Sequence, residues 1–322
     1  MKPITLKPAY ARTAEVLFWL GLASCYFLTP DHLSLMSQVL IFGLFAVSLD
    51  MALGYAGILT VGHAAFFGAG AYAAGLLAKH GWGEPFSGLL IAMAVCLALG
   101  YLLSALVVRG TDLARLMITI GVCMLLAELA NRLSGITGGT DGLQGMVVEP
   151  LFGRFEFDLF GQTAFVYAFA MVLLVFLGVR LVLKSPFGLT LRGIHDSRKR
   201  MLAIGSPVDA RLRLAYALSA GVAGVAGALL AQTTQFVGIE SIGFNRSAEI
   251  LIILVLGGTG RLYGGLVGAI VYMLVHDWFA DMNPQYWQFW LGIFLIAAVL
   301  LGRGGIMGAL SRLFKTREEA AR

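Results

Sequence analysis

Charge is what this sequence has least of: only 13% of its 322 residues are Asp, Glu, Lys or Arg, where soluble domains carry about 25%. With 59% apolar residues and a mean hydropathy of +0.85, the chain cannot hide its apolar surface in one core, because single cores stop growing beyond roughly 250–300 residues. Lipid must be the solvent. Cysteine is scarce too. Cys25, Cys96 and Cys123 lie in separate apolar runs. Their odd number and wide spacing fit neither a disulfide framework nor a zinc site, so they read as small buried hydrophobes. No G-x-x-x-x-G-K-[ST] loop is present, so if nucleotide supplies the energy a different subunit must bind it. HExxH and GxSxG are missing as well, which leaves an intramembrane enzyme without support and no metal or catalytic residue to nominate. The net charge of +5 comes from residues placed between apolar runs, with no basic stripe interleaved with aromatics, and this excludes a nucleic-acid partner. No small-residue cleavage site follows the first apolar run, which is expected to be a retained helix.

What is abundant is apolar runs of membrane-crossing length, about 20 residues each as helix. They fall at 14–30, 33–53, 61–78, 87–108, 114–130, 162–184, 213–232, 248–260, 262–279 and 287–302. The run at 248–260 is too short to cross unaided and is expected to be a half-helix or part of a re-entrant element. With the N-terminus inside and strict alternation, the inner segments hold Lys2, Lys7, Arg12, Arg109, Arg115, Lys184, Arg192, Arg198, Lys199, Arg200, Arg211, Arg213, Arg261, Arg303, Arg312, Lys315, Arg317 and Arg322. The outer segments hold Lys79, Arg132, Arg154 and Arg246. That asymmetry follows the positive-inside rule. The expectation is one all-α, polytopic transmembrane helical bundle over 1–322, with about eight to ten spans. It would have cytoplasmic tails at 1–13 and 303–322, a periplasmic loop at 131–161 and a basic cytoplasmic loop at 185–212.

Glycine is the other excess, at 41 residues. Segment 54–72 reads GYAGILTVGHAAFFGAGAY and segment 257–272 reads GGTGRLYGGLVGAIVY. Both carry G-x-x-G-x-L, as Gly54, Gly57 and Leu59 and as Gly257, Gly260 and Leu262, which suggests a same-sense internal repeat. Glycine density inside an apolar run points to a helix break or a close crossing. Gly54, Gly57, Gly257, Gly258 and Gly260 are therefore pathway or packing candidates. His63 joins them, either as a hydrogen-bonded packing residue or as a functional one. Ala220, Gly224 and Ala228, with Ser219, Ala223 and Gly227, recur every four residues and form a small-residue packing face, a device repeated by Gly264 and Gly268. Asp50, Glu128, Glu249 and Asp277 fall near span ends, where snorkelling or local pairing lowers the cost of a charge in lipid. Arg246 and Glu249 are three apart and can pair on one helical face.

Three blocks in order along the chain carry a family resemblance. Segment 54–72 resembles "GYAGQLSLGHAAFFGIGAY". SPFGLTLRGIHD (185–196) and LAIGSPVDARLRLAYALSAGVAGVAGALLAQ (202–232) resemble "SPFGRALRAIREN…A…GI…K…AF…SA…AGLAGAL". SAEILIILVLGGTGRLYGGLVGA (247–269) is similar to "S…LI…VLGGLGSLWGPVLGA". These are patterns of branched-chain amino-acid ABC transporter permeases, and the SPFG block and GYAG form resemble the LivM type. The resemblance implies a transport subunit rather than an enzyme, in a bacterial inner membrane with both termini cytoplasmic. Its partners would be a LivH-like second permease, two cytoplasmic ATP-binding subunits and a periplasmic substrate-binding protein. It would bind no cofactor itself, since ATP is used by the partner subunit. The substrate would be leucine, isoleucine or valine, or in the same family urea, short amides or aromatic acids. The ATPase contact would fall on Ile194, His195, Arg198, Lys199, Arg200, Ala203 and Gly205. The sequence departs from the family there, with Arg198, Lys199, Arg200 and Met201 standing where acidic residues and alanine are usual. The residues alone leave one alternative, a proton-coupled secondary transporter using Asp50, His63 or Glu128 as a relay.

Overall fold

Helices form at every one of the ten apolar runs in the computed structural model, which describes residues 8–158, 161–301 and 304–309. In chain order these are α1 (Pro8–Leu28), α2 (Leu33–Asp50), α3 (Ala64–Lys79), α4 (Pro85–Val107) and α5 (Asp112–Arg132), followed by a single turn, α6 (Ser134–Thr137), and then α7 (Gln162–Lys184). Two short helices, α8 (Pro186–Asp196) and α9 (Arg198–Ala203), precede α10 (Val208–Thr234), α11 (Phe244–Gly257), α12 (Gly264–Met282) and α13 (Trp287–Leu301). Pro85 and Pro186 each open a helix, where a missing N–H costs nothing. Among the described residues no strand forms; only the isolated bridges Leu143–Val237 and Leu151–Phe155 occur. Six helices among the described residues are long and apolar enough to cross a bilayer: α2 with its flanking turns, α4, α5, α7, α10 and α12. The protein is an all-α, multi-pass membrane bundle. Lys2, Lys7, Arg303, Arg312, Lys315, Arg317 and Arg322 of the charge count lie outside the described residues.

α10 and α2 form the centre and bury most of their length. Small residues let them in. A Cβ on Gly100 of α4 would sit 2.5 Å from the Ala220 methyl of α10, and one on Gly221 would press 2.8 Å from Leu97. Gly227 lies against the α3 backbone at Phe67, and Gly224 lies against Cys96 of α4. The predicted small-residue face is thus the surface on which α3, α4 and α10 pack, since without a hydrophobic force between helices in lipid, close contact is what holds them. On the other side of α2, Gly265 of α12 approaches the Val47 amide to a separation that a Cβ would cut to 2.8 Å. Large apolar side chains on α4, α5 and α13, such as Leu102, Met117 and Ile296, stay exposed and suit a lipid or subunit boundary.

The loop after α5 folds back over one end of the bundle. Leu143 exchanges backbone hydrogen bonds with Val237, the Glu149 amide donates to Gly83 O at 2.9 Å, and Leu143 is fully buried. The basic α8–α9 excursion lies at the opposite end.

Candidate functional site

Two glycine breaks meet near the base of α8. α2 continues past Asp50 as a wide turn, Met51–Tyr55, and the chain then runs irregularly to α3. α11 has 14 residues, or about 21 Å at 1.5 Å per residue, short of a bilayer core of about 30 Å. It ends at Gly258 and returns as α12, making the expected short element one arm of a helical hairpin. The second glycines of the two G-x-x-G-x-L motifs adopt the same left-handed backbone, Gly57 at φ +69° and Gly260 at φ +71°, a conformation that costs glycine little and other residues much. The breaks touch. A Cβ on Gly54 would lie 2.5 Å from the Gly260 amide nitrogen and closer still to Asp50. The Gly260 N–H donates to Asp50 Oδ1 at 2.7 Å. Asp50, expected to snorkel or pair at a span end, is buried and pairs with this backbone.

Irregular backbone in the bundle needs partners, because no water replaces the lost helical bonds. Side chains from neighbouring helices supply them: Ser247 Oγ of α11 accepts from the Ala64 amide at 2.9 Å, and Thr119 Oγ1 of α5 accepts from the Val61 amide at 3.4 Å. His63 closes this region from within. Ser48 Oγ donates to Phe45 O and Ser219 Oγ donates to Ser48 O, so both hydroxyl hydrogens are committed. His63 Nε2, 3.1 Å from Ser48 Oγ and 3.3 Å from Ser219 Oγ, must then be the donor to both oxygens. The ring stacks on Phe45 at 5.9 Å and is fully buried. His63 is a buried polar knot that ties α2, α3 and α10 together.

The basic excursion docks on the first break. The Arg192 guanidinium lies 5.1 Å over the Tyr55 ring, so Tyr55 joins α8 to the first break. A Cβ on Gly57 would come within 2.7 Å of His195 Cδ2. Ile194 is buried on the inner face of α8, while Lys199, Arg200, Ala203 and Gly205 are exposed on and after α9. Arg198 pairs with Asp209 at the start of α10, 2.6 Å apart. Ser197 caps α9 by accepting from the Arg200 amide. Gly205 ends the turn at φ +80° with open space where a Cβ would be. Leu202 and Ile204, 55% and 74% exposed, form an apolar tip within this basic surface.

The structure therefore brings Gly54, Gly57, Gly260 and His195 to one junction, with Gly257 packed against α12 at Gly264 and Gly258 against Gly304 and Gly305. His63 sits apart from it. The residues that sequence reasoning missed are those that satisfy or fasten the breaks: Ser48, Thr119, Ser247, Tyr55 and Arg192. Hydroxyls isolated within apolar runs were the available signal.

The family described as branched-chain amino acid transport system, permease component, matches residues 32–299. The high-affinity branched-chain amino acid transport system permease protein LivM of Escherichia coli is 27% identical over 94% of this chain and 76% of its own length. LivM of Salmonella typhimurium is 26% identical over 88% of this chain and 71% of its own. BraD of Pseudomonas aeruginosa, a permease protein of a system of the same description, is 24% identical over 83% of this chain and 91% of its own. No solved structure matches the chain.

Proposed function

This chain belongs to the branched-chain amino acid transport permease family, and from that premise we propose that it is one membrane subunit of an ATP-driven, binding-protein-dependent importer of leucine, isoleucine or valine. In this reading a LivH-like second permease completes the pathway, and a periplasmic binding protein delivers the amino acid. Two cytoplasmic subunits bind and hydrolyse ATP, this chain holding no cofactor of its own. The membrane is a bacterial inner membrane, and both termini face the cytoplasm.

The observation that carries the reading is the α8–α9 excursion. A capped helix of six residues with an exposed apolar tip and a basic rim suits insertion into a groove of a partner with acidic edges. Its base is fastened through Arg192, Tyr55, His195 and Gly57 to the junction where both glycine breaks meet. Movement of the partner is thereby passed to α2, α3, α11 and α12 as rigid bodies rather than absorbed in a loose loop.

Reconstitution with the partner subunits tests this reading. Leucine uptake should require ATP, the binding protein and both permeases, and should persist with an uncoupler present. Uptake by this chain alone, driven by a proton gradient, would overturn it in favour of the secondary transporter. That alternative draws little from the site: Asp50 is held by Gly260, His63 by two serines, and Glu128 pairs with Arg132 on the exposed side of α5. Urea, short amides or aromatic acids remain the substrate alternatives within the family.

A further inference from the structure

At the end of the bundle opposite α8 and α9, helices α5, α11, α12 and α13 line an open hollow of about 870 Å³, within the range of roughly 300–1,000 Å³ typical of small-molecule sites. Arg246 and Glu249, one turn apart on α11, form an ion pair in its wall at 2.5 Å, with side chains 25% and 21% exposed. The Arg246 guanidinium rests 5.0 Å over the Phe42 ring, and Tyr272 lines the same hollow as Glu249. A second cavity of about 360 Å³ lies on the α2 and α10 side and shares Glu240, Arg246, Glu249 and His276 with the first. These four polar groups thus stand as a partition between two hollows.

Resting on the importer reading above, we propose that this partition is a transit site for a zwitterionic amino acid with an aliphatic side chain. Arg246 receives the carboxylate, and Glu249 receives the ammonium with Glu240 and Glu128 nearby. Arg246 and Glu249 compensate each other's charge by pairing. An entering zwitterion substitutes its own two charges, while the Phe42 ring keeps the Arg246 guanidinium in place. Met124, Phe244 and Trp287 supply an apolar stretch of wall where the side chain would lie, beside the polar Asn131, Asn245 and Gln288. Chemistry narrows the substrate class as well. Glu128 is paired with Arg132 and Glu249 with Arg246, so Glu240 is the carboxylate in excess in the larger hollow; it disfavours an anion lacking an ammonium, such as an aromatic acid, and urea offers neither charge. Ionisable residues inside membrane bundles face pathways and pair with one another, as here.

The test uses the complete importer in proteoliposomes with radiolabelled leucine. Arg246→Gln and Glu249→Gln should each lower ATP-driven uptake at least ten-fold, while the stimulation of ATP hydrolysis by loaded binding protein stays within two-fold of the unaltered complex. The exchange variant Arg246→Glu with Glu249→Arg restores the ion pair but inverts the polarity of the site, and its uptake should stay below one tenth. Uptake within two-fold of normal for either single variant, or recovery to that level by the exchange, would show that the pair merely fastens α11 and overturns the proposal. Loss of stimulated hydrolysis together with uptake in the exchange variant would overturn it too. If the unaltered complex takes up no leucine, the importer reading fails first and carries this site with it.

Discussion

Gly54 and Gly121 predict opposite outcomes for the same substitution. A methyl on Gly54 has no room beside Gly260 and Asp50, whereas one on Gly121 in α5 meets nothing within 4 Å. Gly54→Ala should lower stability by about 1–3 kcal/mol through overpacking. Gly121→Ala should be neutral or raise stability by up to about 1 kcal/mol, by removing a flexible residue from a helix interior. Thermal unfolding in detergent compares them directly; equal midpoints would contradict the contact between the two breaks. His63 gives a second contrast. His63→Leu removes the donor shared by Ser48 and Ser219, at a cost of about 1–2 kcal/mol. His63→Gln keeps an N–H near that position and should leave uptake within two-fold. Loss of uptake in the Gln variant at normal protein levels would restore His63 as a working group.

The elements were legible in the sequence to the extent that lipid imposes a length on them. Ten apolar runs became helices because a chain in a bilayer must satisfy its backbone within each segment. The short run at 248–260 read as incomplete for the same reason, and α11 is indeed short. The repeated glycine motif located both breaks, since Gly57 and Gly260 hold backbone angles that other residues avoid. That the two breaks touch was not legible, because it depends on how α2 and α12 cross. The roles of Ser247 and Thr119 were hidden likewise, each lying far along the chain from the amide it satisfies. At α9 the structure sharpens one expectation. Gly205→Trp should insert normally, and the importer assembled with it should hydrolyse ATP without uptake, because its bulk projects outward into open space. The left-handed angle itself strains a tryptophan, so Gly205→Asn, which tolerates that angle, should insert and stay coupled. Equal uncoupling by both variants would locate the defect in the turn and not in the partner contact.

At the scale of the molecule, hydropathy separates membrane from water but not protein from lipid. α2 and α10 are mostly buried and α5 is mostly exposed, yet all three are strongly apolar. Only the alanines, glycines and Ser219 of α10 marked it as central, and α2 carried little comparable signal beyond Ser37, Ser48 and Asp50. The central claim is that the basic excursion faces the cytoplasm and seats a separate ATPase. Ile204→Cys, placed at the exposed tip with Cys25 replaced to remove background, tests it most directly. In intact cells a membrane-impermeant maleimide should fail to label Cys at that position. It should label after permeabilisation, and bound ATPase subunits should protect it. Labelling from outside intact cells would contradict the account.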